Sequence, residues 1–289
     1  MEEYRKKLYL NINMGFQLWY SPETGIRRKG TTFSELQDIF ISNITTNHIY
    51  EPLACCKLED NSLEVRELMG RRDFDVLGVV QDSRILGYVR RVDLGAGQIA
   101  DYFIGLNINL IISDSTPISE LLDLFRINDF LFVLYKNEVS GIITKADINK
   151  PITRIYLFSI ISLFEFHLNY WINNYYNNDS WQELLKEKRI TLAKATCLER
   201  KGNNMDLTLL ECLQISDKKE ILRNTDDFLK IFEFSKSSFK DILEKIGMVR
   251  NELAHSQNSI ISNLAWNDFA DSIHSIKSFL GTSESRITN

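Results

Sequence analysis

The chain has 289 residues, of which 44% are apolar, 11% aromatic and 25% charged, a composition that excludes a disordered tail, a collagen-like fibre and a small disulfide scaffold. Its net charge of −5 excludes attachment to nucleic acid or anionic membranes by bulk charge, while leaving room for a local RNA site. At roughly 100 to 200 residues per domain, this length predicts about two domains.

Residues 1–30 hold a strand-like run, LYLNINMGFQLWY, followed by the turn-rich SPETGIRRKG, and are read as an N-terminal extension. The opening MEEYRKK lacks the apolar core of a signal peptide. The most apolar run, Tyr156 to Ile172, is interrupted by Glu165, His167 and Asn169, so no membrane span is expected. Cys55, Cys56, Cys197 and Cys212 form no C-x-x-C pair and have no histidine at zinc-like spacing. They are read as reduced thiols of a cytoplasmic protein without a metal site.

The next segment contains an internal repeat. FDVLGVVQDSRILGYVRRVDL (Phe74 to Leu94) aligns without a gap on NDFLFVLYKNEVSGIITKADI (Asn128 to Ile148), pairing Asp75 with Asp129, Val79 with Val133, Gly87 with Gly141 and Asp93 with Asp147. A short helical pattern precedes each block, SLEVRELM and TPISELLDLF. Each unit is predicted as strand, helix, two short strands and a helix start marked by the aspartate.

This layout resembles a tandem of CBS (cystathionine-β-synthase) domains, a Bateman module, over about residues 31–150 and divided near 103/104, with TTFSELQDIFISNITTNHIYEPLACC as lead-in helix and first strand. The resemblance implies an adenine nucleotide as regulatory ligand: AMP, ADP, ATP or a cyclic dinucleotide. GIITKAD in the second unit fits the family signature G-h-h-T/S-x-x-D, where h is apolar. It implies ligand contacts at Gly141, Ile142, Ile143, Thr144, Lys145 and Asp147, with Thr144 at a phosphate and Asp147 at the ribose hydroxyls. The first unit departs from the signature, because GYVRRVD places Arg90 where Thr or Ser is expected. Its ribose site is therefore incomplete, although Arg90 or Arg91 is suited to a polyphosphate. A scaffold with an empty cleft is the competing reading.

From Pro151 onward Pro and Gly become scarce and helical periodicity dominates. Leu157, Ile161, Phe164, Leu168, Trp171 and Tyr175 form one apolar stripe. A second long helix is predicted over Asp226 to Ala254, shorter ones over Trp181 to Glu199 and Leu207 to Arg223, and a last over about Leu264 to Leu280. The fold class expected is α+β for the repeat pair with a C-terminal all-α bundle over 151–289.

Glu165 falls on the buried side of the first stripe, where a carboxylate needs a partner, and Arg250 borders the second stripe, where a guanidinium does. A structural ion pair joining two helices is one explanation. The continuation MVRNELAHSQNS offers another, since it spells R-N-x-x-x-H. A short motif at the end of a long helix, with an acidic residue in the first helix of a small bundle, resembles the HEPN superfamily over about residues 151–289. That resemblance implies a metal-independent ribonuclease site of Arg250, Asn251, His255 and Glu165, no catalytic cofactor, and a homodimer that builds the site from two protomers. His255 would move the proton between the ribose 2′-hydroxyl and the 5′-oxygen, and Arg250 would stabilise the phosphorane-like transition state. Positions five apart on an unbroken helix point about 140° away from each other, so the two converge only if the helix breaks near Ala254 to Gln257.

His167 and His274 are read as ordinary helix residues, with His167 off the apolar stripe. The cluster Tyr170, Trp171, Tyr175 and Tyr176 is read as packing rather than base stacking, and KEKR (186–189) as a solvated face. The leading functional expectation is an adenine-nucleotide-regulated endoribonuclease of stress, toxin or phage-defence type, acting on RNA and free of membranes. A catalytically inactive adaptor whose partner binding is switched by a nucleotide is the alternative, and a toxin held by a separate antitoxin a third.

Overall fold

The computed structural model describes residues 19–20, 27–28, 32–202, 207–254, 259–261 and 264–288. Two compact units make up the chain, one of residues 40–154 and the other of 1–39 with 155–289. Within the N-terminal segment, β1 (Trp19–Tyr20) and β2 (Arg27–Arg28) pair antiparallel, with β2 inside the stretch read as turn-rich; the rest of the strand-like run lies outside the described residues.

Helix α1 (Phe33–Asn43) begins with a reciprocal cap, Thr32 Oγ1 accepting from Glu35 N at 2.9 Å and Glu35 Oε2 from Thr32 N at 2.9 Å. The repeat unit then carries β3 (Glu51–Pro52), β4 (Cys55–Cys56), α2 (Ser62–Arg72), β5 (Val76–Gln81), β6 (Arg84–Arg90), β7 (Ile104–Gly105), β8 (Ile111–Ser113), α3 (Ile118–Leu124), β9 (Phe130–Tyr135) and β10 (Glu138–Thr144). These form two four-stranded sheets, ordered β4-β5-β6-β7 and β3-β10-β9-β8.

The repeat recurs in the register. Val79 sits opposite Gly87 in the first hairpin and Val133 opposite Gly141 in the second. Both glycines lie where another chain segment passes close by: a Cβ on Gly87 would stand 2.2 Å from the Ile104 carbonyl oxygen, and one on Gly141 2.1 Å from the Tyr50 ring. The aspartates part company. After β10, Thr144 and Asp147 close a one-turn helix, whereas Asp93 only ends a turn by donating its N–H to the Arg90 carbonyl at 3.0 Å. The predicted helix start is thus present in the second repeat alone, where the Thr144 hydroxyl also donates to Asp147 Oδ2 at 3.0 Å; Arg90 stands in its place in the first. Tyr88 of one sheet packs against Phe130 and Phe132 of the other, with ring centroids 5.6 and 5.2 Å away.

The helical part comprises α4 (Pro151–Tyr175), α5 (Glu187–Gly202), α6 (Ile215–Arg223), α7 (Asp226–Ile231), α8 (Lys236–Ala254) and α9 (Trp266–Thr288), with a short 3-10 stretch at Asn177–Leu184. Helix α4 is long and apolar enough by composition to cross a membrane, but its Leu157, Ile161, Phe164, Leu168 and Ile172 are buried in the bundle. The predicted helix over 226–254 is two helices. Glu233 adopts a left-handed φ of 56°, Phe234 N donates to the Leu229 carbonyl at 2.9 Å, and Ser235 Oγ accepts from Ser238 N at 3.0 Å to start α8. The final helix also runs past Leu280 to Thr288.

The core of the bundle is aromatic: Phe232 lies 4.4 Å from Phe279 and 5.3 Å from Trp171 between ring centroids. His167 belongs to this core and is fully buried, a correction to its placement off the stripe. Ser283 Oγ accepts from Trp171 Nε1 at 2.7 Å and stands within hydrogen-bond distance of His167 Nδ1, also at 2.7 Å. Burial pushes the His167 pKa down to about 3. His274 is exposed, as expected.

Candidate functional site

Two cavities collect the residues singled out by the sequence, one in each unit. The first is a cleft of about 710 Å³ in the repeat unit. Ile142, Thr144, Lys145 and Asp147 line it, together with Phe74, Val76, Arg90 and Phe130. Gly141 and Ile143 do not, because alternate residues of β10 face opposite sides of the sheet: Ile143 is fully buried and Gly141 lies against Tyr50. Asp147 is also a cap. Its Oδ2 accepts from Thr144 N at 2.7 Å and Thr144 Oγ1 at 3.0 Å, and its Oδ1 from Lys150 Nζ at 2.9 Å. Of about four lone-pair positions on a carboxylate, one is left for a ribose hydroxyl.

Carboxylates outnumber cations around the cleft, yet most are paired. Arg91 holds Asp75 at 2.7 Å and Asp73 at 3.6 Å, Lys145 holds Asp129 at 3.0 Å, and Lys150 bonds Glu51. Arg90 is the cleft cation without an ion-pair partner among the described residues. Phe74, Val76, Phe130 and Ile142 supply apolar walls on which a purine ring can lie.

The second cavity, of about 350 Å³, lies in the helical unit between α4, α6 and α8. Glu165 and Arg250 meet there: Arg250 Nε donates to Glu165 Oε1 at 2.9 Å. Lys218 of α6, which the sequence reading missed, approaches the other carboxylate oxygen at 3.5 Å and is only 3% exposed. Arg200, Glu211, Asn169 and Ala254 also line this space. Asn251 is exposed on α8 and is not among the lining residues. His255 lies outside the described residues; it follows Ala254 in sequence.

Residues 107–153 match the family model described as CBS domain. The second of the two repeats is therefore a CBS domain by sequence. No curated protein matches the chain. Among solved structures, the CBS-pair protein CBSX2 from Arabidopsis thaliana is 19% identical with a TM-score of 0.34, covering 38% of this chain and 95% of its own. The CBS domain of a bacterial CNNM/CorC family Mg2+ transporter in complex with ATP is 15% identical with a TM-score of 0.32, covering 40% and 92%. An uncharacterized conserved protein from Pyrococcus horikoshii is 17% identical with a TM-score of 0.33, covering 37% and 90%.

The matched CBS segment contains Thr144, Lys145 and Asp147, the cleft residues read from its signature. Of the cleft residues outside the CBS match, Glu51 reaches the cleft because β3 pairs with β10, and Asp73 and Phe74 come from the turn between α2 and β5. For Lys218 the only sequence signal was a lysine inside a helix whose neighbours alternate in charge, which ordinarily means a solvated face. Arg189 of KEKR is half-buried, binding Asp217 through Nε at 2.6 Å and a terminal nitrogen at 2.7 Å. Trp171 is committed to the core, in keeping with the packing role assigned to the aromatic cluster.

Proposed function

We propose that the protein is an adenine-nucleotide-regulated, metal-independent endoribonuclease of the stress, toxin or phage-defence kind. The observation that carries the reading is the Glu165–Arg250 ion pair at a cavity bordered by Ala254, the residue before His255. Glu165 engages the Nε edge of the guanidinium, and the two terminal nitrogens of Arg250 have no protein partner among the described residues. A guanidinium held by one edge presents its fork to a phosphate.

In the proposed reaction His255 accepts the proton of the ribose 2′-hydroxyl, the 2′-oxygen attacks phosphorus, and the P–O5′ bond breaks. The proton then passes to the leaving 5′-oxygen, giving a 2′,3′-cyclic phosphate and a free 5′-hydroxyl. Arg250 stabilises the charge that grows on the non-bridging oxygens, and Glu165 keeps its guanidinium in place. A homodimer supplies two such motifs, and Asn251, on the exposed face of α8, is assigned to the phosphate only across that interface.

The regulatory half of the proposal rests on the cleft. Its volume of about 710 Å³ lies within the roughly 300–1,000 Å³ usual for small-ligand sites. Asp147 keeps one lone pair for a ribose hydroxyl, Thr144 offers its hydroxyl oxygen, and Arg90 offers an unpaired charge to a phosphate. AMP is bound by one CBSX2 structure and ATP by the transporter domain. The unpaired Arg90 favours a ligand with more than one phosphate.

The test is cleavage of labelled tRNA and single-stranded RNA in EDTA by wild type and His255→Ala, with and without ATP, AMP and cyclic dinucleotides. Cutting that vanishes in the variant and shifts with one nucleotide supports the proposal. No cutting under any condition, with nucleotide binding intact, would replace it by the adaptor reading.

A further inference from the structure

We infer that Lys218, with Asn169 and Arg200, builds a phosphate seat beside the Glu165–Arg250 pair, and that the group it takes is a phosphodiester of single-stranded RNA. The inference rests on the ribonuclease reading for the choice of RNA, but binding in this seat requires no cleavage.

The charges at this cavity are out of balance. One carboxylate, Glu165, faces two cations: Arg250 Nε at 2.9 Å and Lys218 Nζ at 3.5 Å. The lysine contact is at the outer limit of a hydrogen bond, and it is the only one its ammonium makes among the described residues. An ammonium has three N–H donors, so a lysine only 3% exposed is left far short of its capacity. Burial holds its pKa below the ordinary lysine value, which means the charged form lacks solvation that an anion would replace.

A second buried group is short of partners in the same cavity. Asn169 Oδ1 is out of contact with solvent and has no hydrogen-bond partner among the described residues. A half-turn of the amide presents two N–H donors at that place instead. Arg200 adds a third cation to the lining, and the other carboxylate there, Glu211, accepts from Thr208 N at 2.8 Å and Thr208 Oγ1 at 2.7 Å through Oε2. Three cations, Lys218, Arg200 and Arg250, thus face two carboxylates around this opening, a positive excess that suits a phosphate.

Phe158 selects nucleic acid among phosphate-bearing ligands. It lines the same cavity and is 54% exposed, an aromatic face free for a base next to the phosphate position.

The experiment titrates the full-length protein into a fluorescein-labelled single-stranded oligonucleotide whose riboses are all 2′-O-methylated, which removes the attacking hydroxyl, and reads anisotropy. Lys218→Met should weaken binding at least tenfold and flatten the log–log salt dependence by about 0.7, one phosphate contact on a single strand. Methionine fills the same space without a buried charge, so the fold is expected to persist. Arg200→Gln, at an exposed position, should weaken binding several-fold and decides the matter if Lys218→Met does not fold. Inorganic phosphate competing at millimolar concentration would show that the phosphate alone is recognised; failure to compete would show that the base contact is required.

Wild-type affinity and salt dependence in Lys218→Met, or in Arg200→Gln where the former does not fold, would overturn the inference, as would absence of binding by the wild type. Binding that depends on Lys218, without cleavage of the unmodified RNA, would keep the seat and remove the ribonuclease reading.

Discussion

Glu165 and Arg250, 85 positions apart in the chain, meet at 2.9 Å between helices α4 and α8, and Lys218 of α6 closes on the same carboxylate. The three residues are not equivalent in cost. Arg250 is 44% exposed, so Arg250→Ala loses a partly solvated pair and should cost about 1 kcal/mol. Glu165→Ala also strands the buried Lys218 and should cost about 3 kcal/mol. Urea unfolding of both variants checks the order; equal effects would mean that Lys218 does not depend on Glu165. If the protein is the ribonuclease proposed above, Arg250→Ala should also abolish cleavage of labelled RNA.

His167 gives the bundle an acid-sensitive element. Its folded pKa of about 3 lies below the 6.5 of the free imidazole, so between these values the unfolded chain binds a proton that the native state does not. Stability therefore falls as pH drops from 6.5 toward 3, by about 5 kcal/mol over the full span at 1.36 kcal/mol per unit. Thermal melts at pH 7 and pH 5 should show the loss, and His167→Gln should flatten it by about one proton. An unchanged slope in that variant would place the acid sensitivity elsewhere.

Asp147 has two duties, a cap for the turn after β10 and an acceptor in the cleft. Asp147→Asn keeps the shape but removes the charge that holds Lys150. Calorimetric titration with ATP should show at least tenfold weaker binding, accompanied by about 1 kcal/mol of lost stability from the weakened cap. Stability lost with affinity unchanged would leave Asp147 as a cap alone.

The Arg189–Asp217 pair is bidentate and its carboxylate is only 7% exposed. Arg189→Ala should cost about 3 kcal/mol. Arg189→Lys should recover part of that but not all, because an ammonium cannot match both oxygens at once. Full recovery by lysine would show that charge alone, without the fork geometry, holds α5 to α6.

The two repeats were legible because strand alternation and glycine placement are local: Val79 and Gly87, and Val133 and Gly141, face each other as their alignment implied. The Glu165 and Arg250 partnership was legible for a related reason, a charge interrupting each apolar stripe. The break at Phe232 to Ser235 was not, since apolar spacing continues across it and only Ser235 hints at a new cap.

Asp217, Lys218 and Lys219 mark where local information ends. As three charged residues in a row they read as a solvated face, yet all are buried. Successive helical positions turn about 100°, so the three side chains leave α6 in different directions. Asp217 reaches Arg189 of α5, Lys218 reaches Glu165 of α4, and Lys219 reaches Glu244 of α8 at 2.8 Å. By itself the sequence determined the strand pairs of the two repeats and the helical character of the rest, because periodicity is a property of neighbours along the chain. Which charges become buried partners was decided only when the helices met, because that depends on what the packing brings opposite each turn.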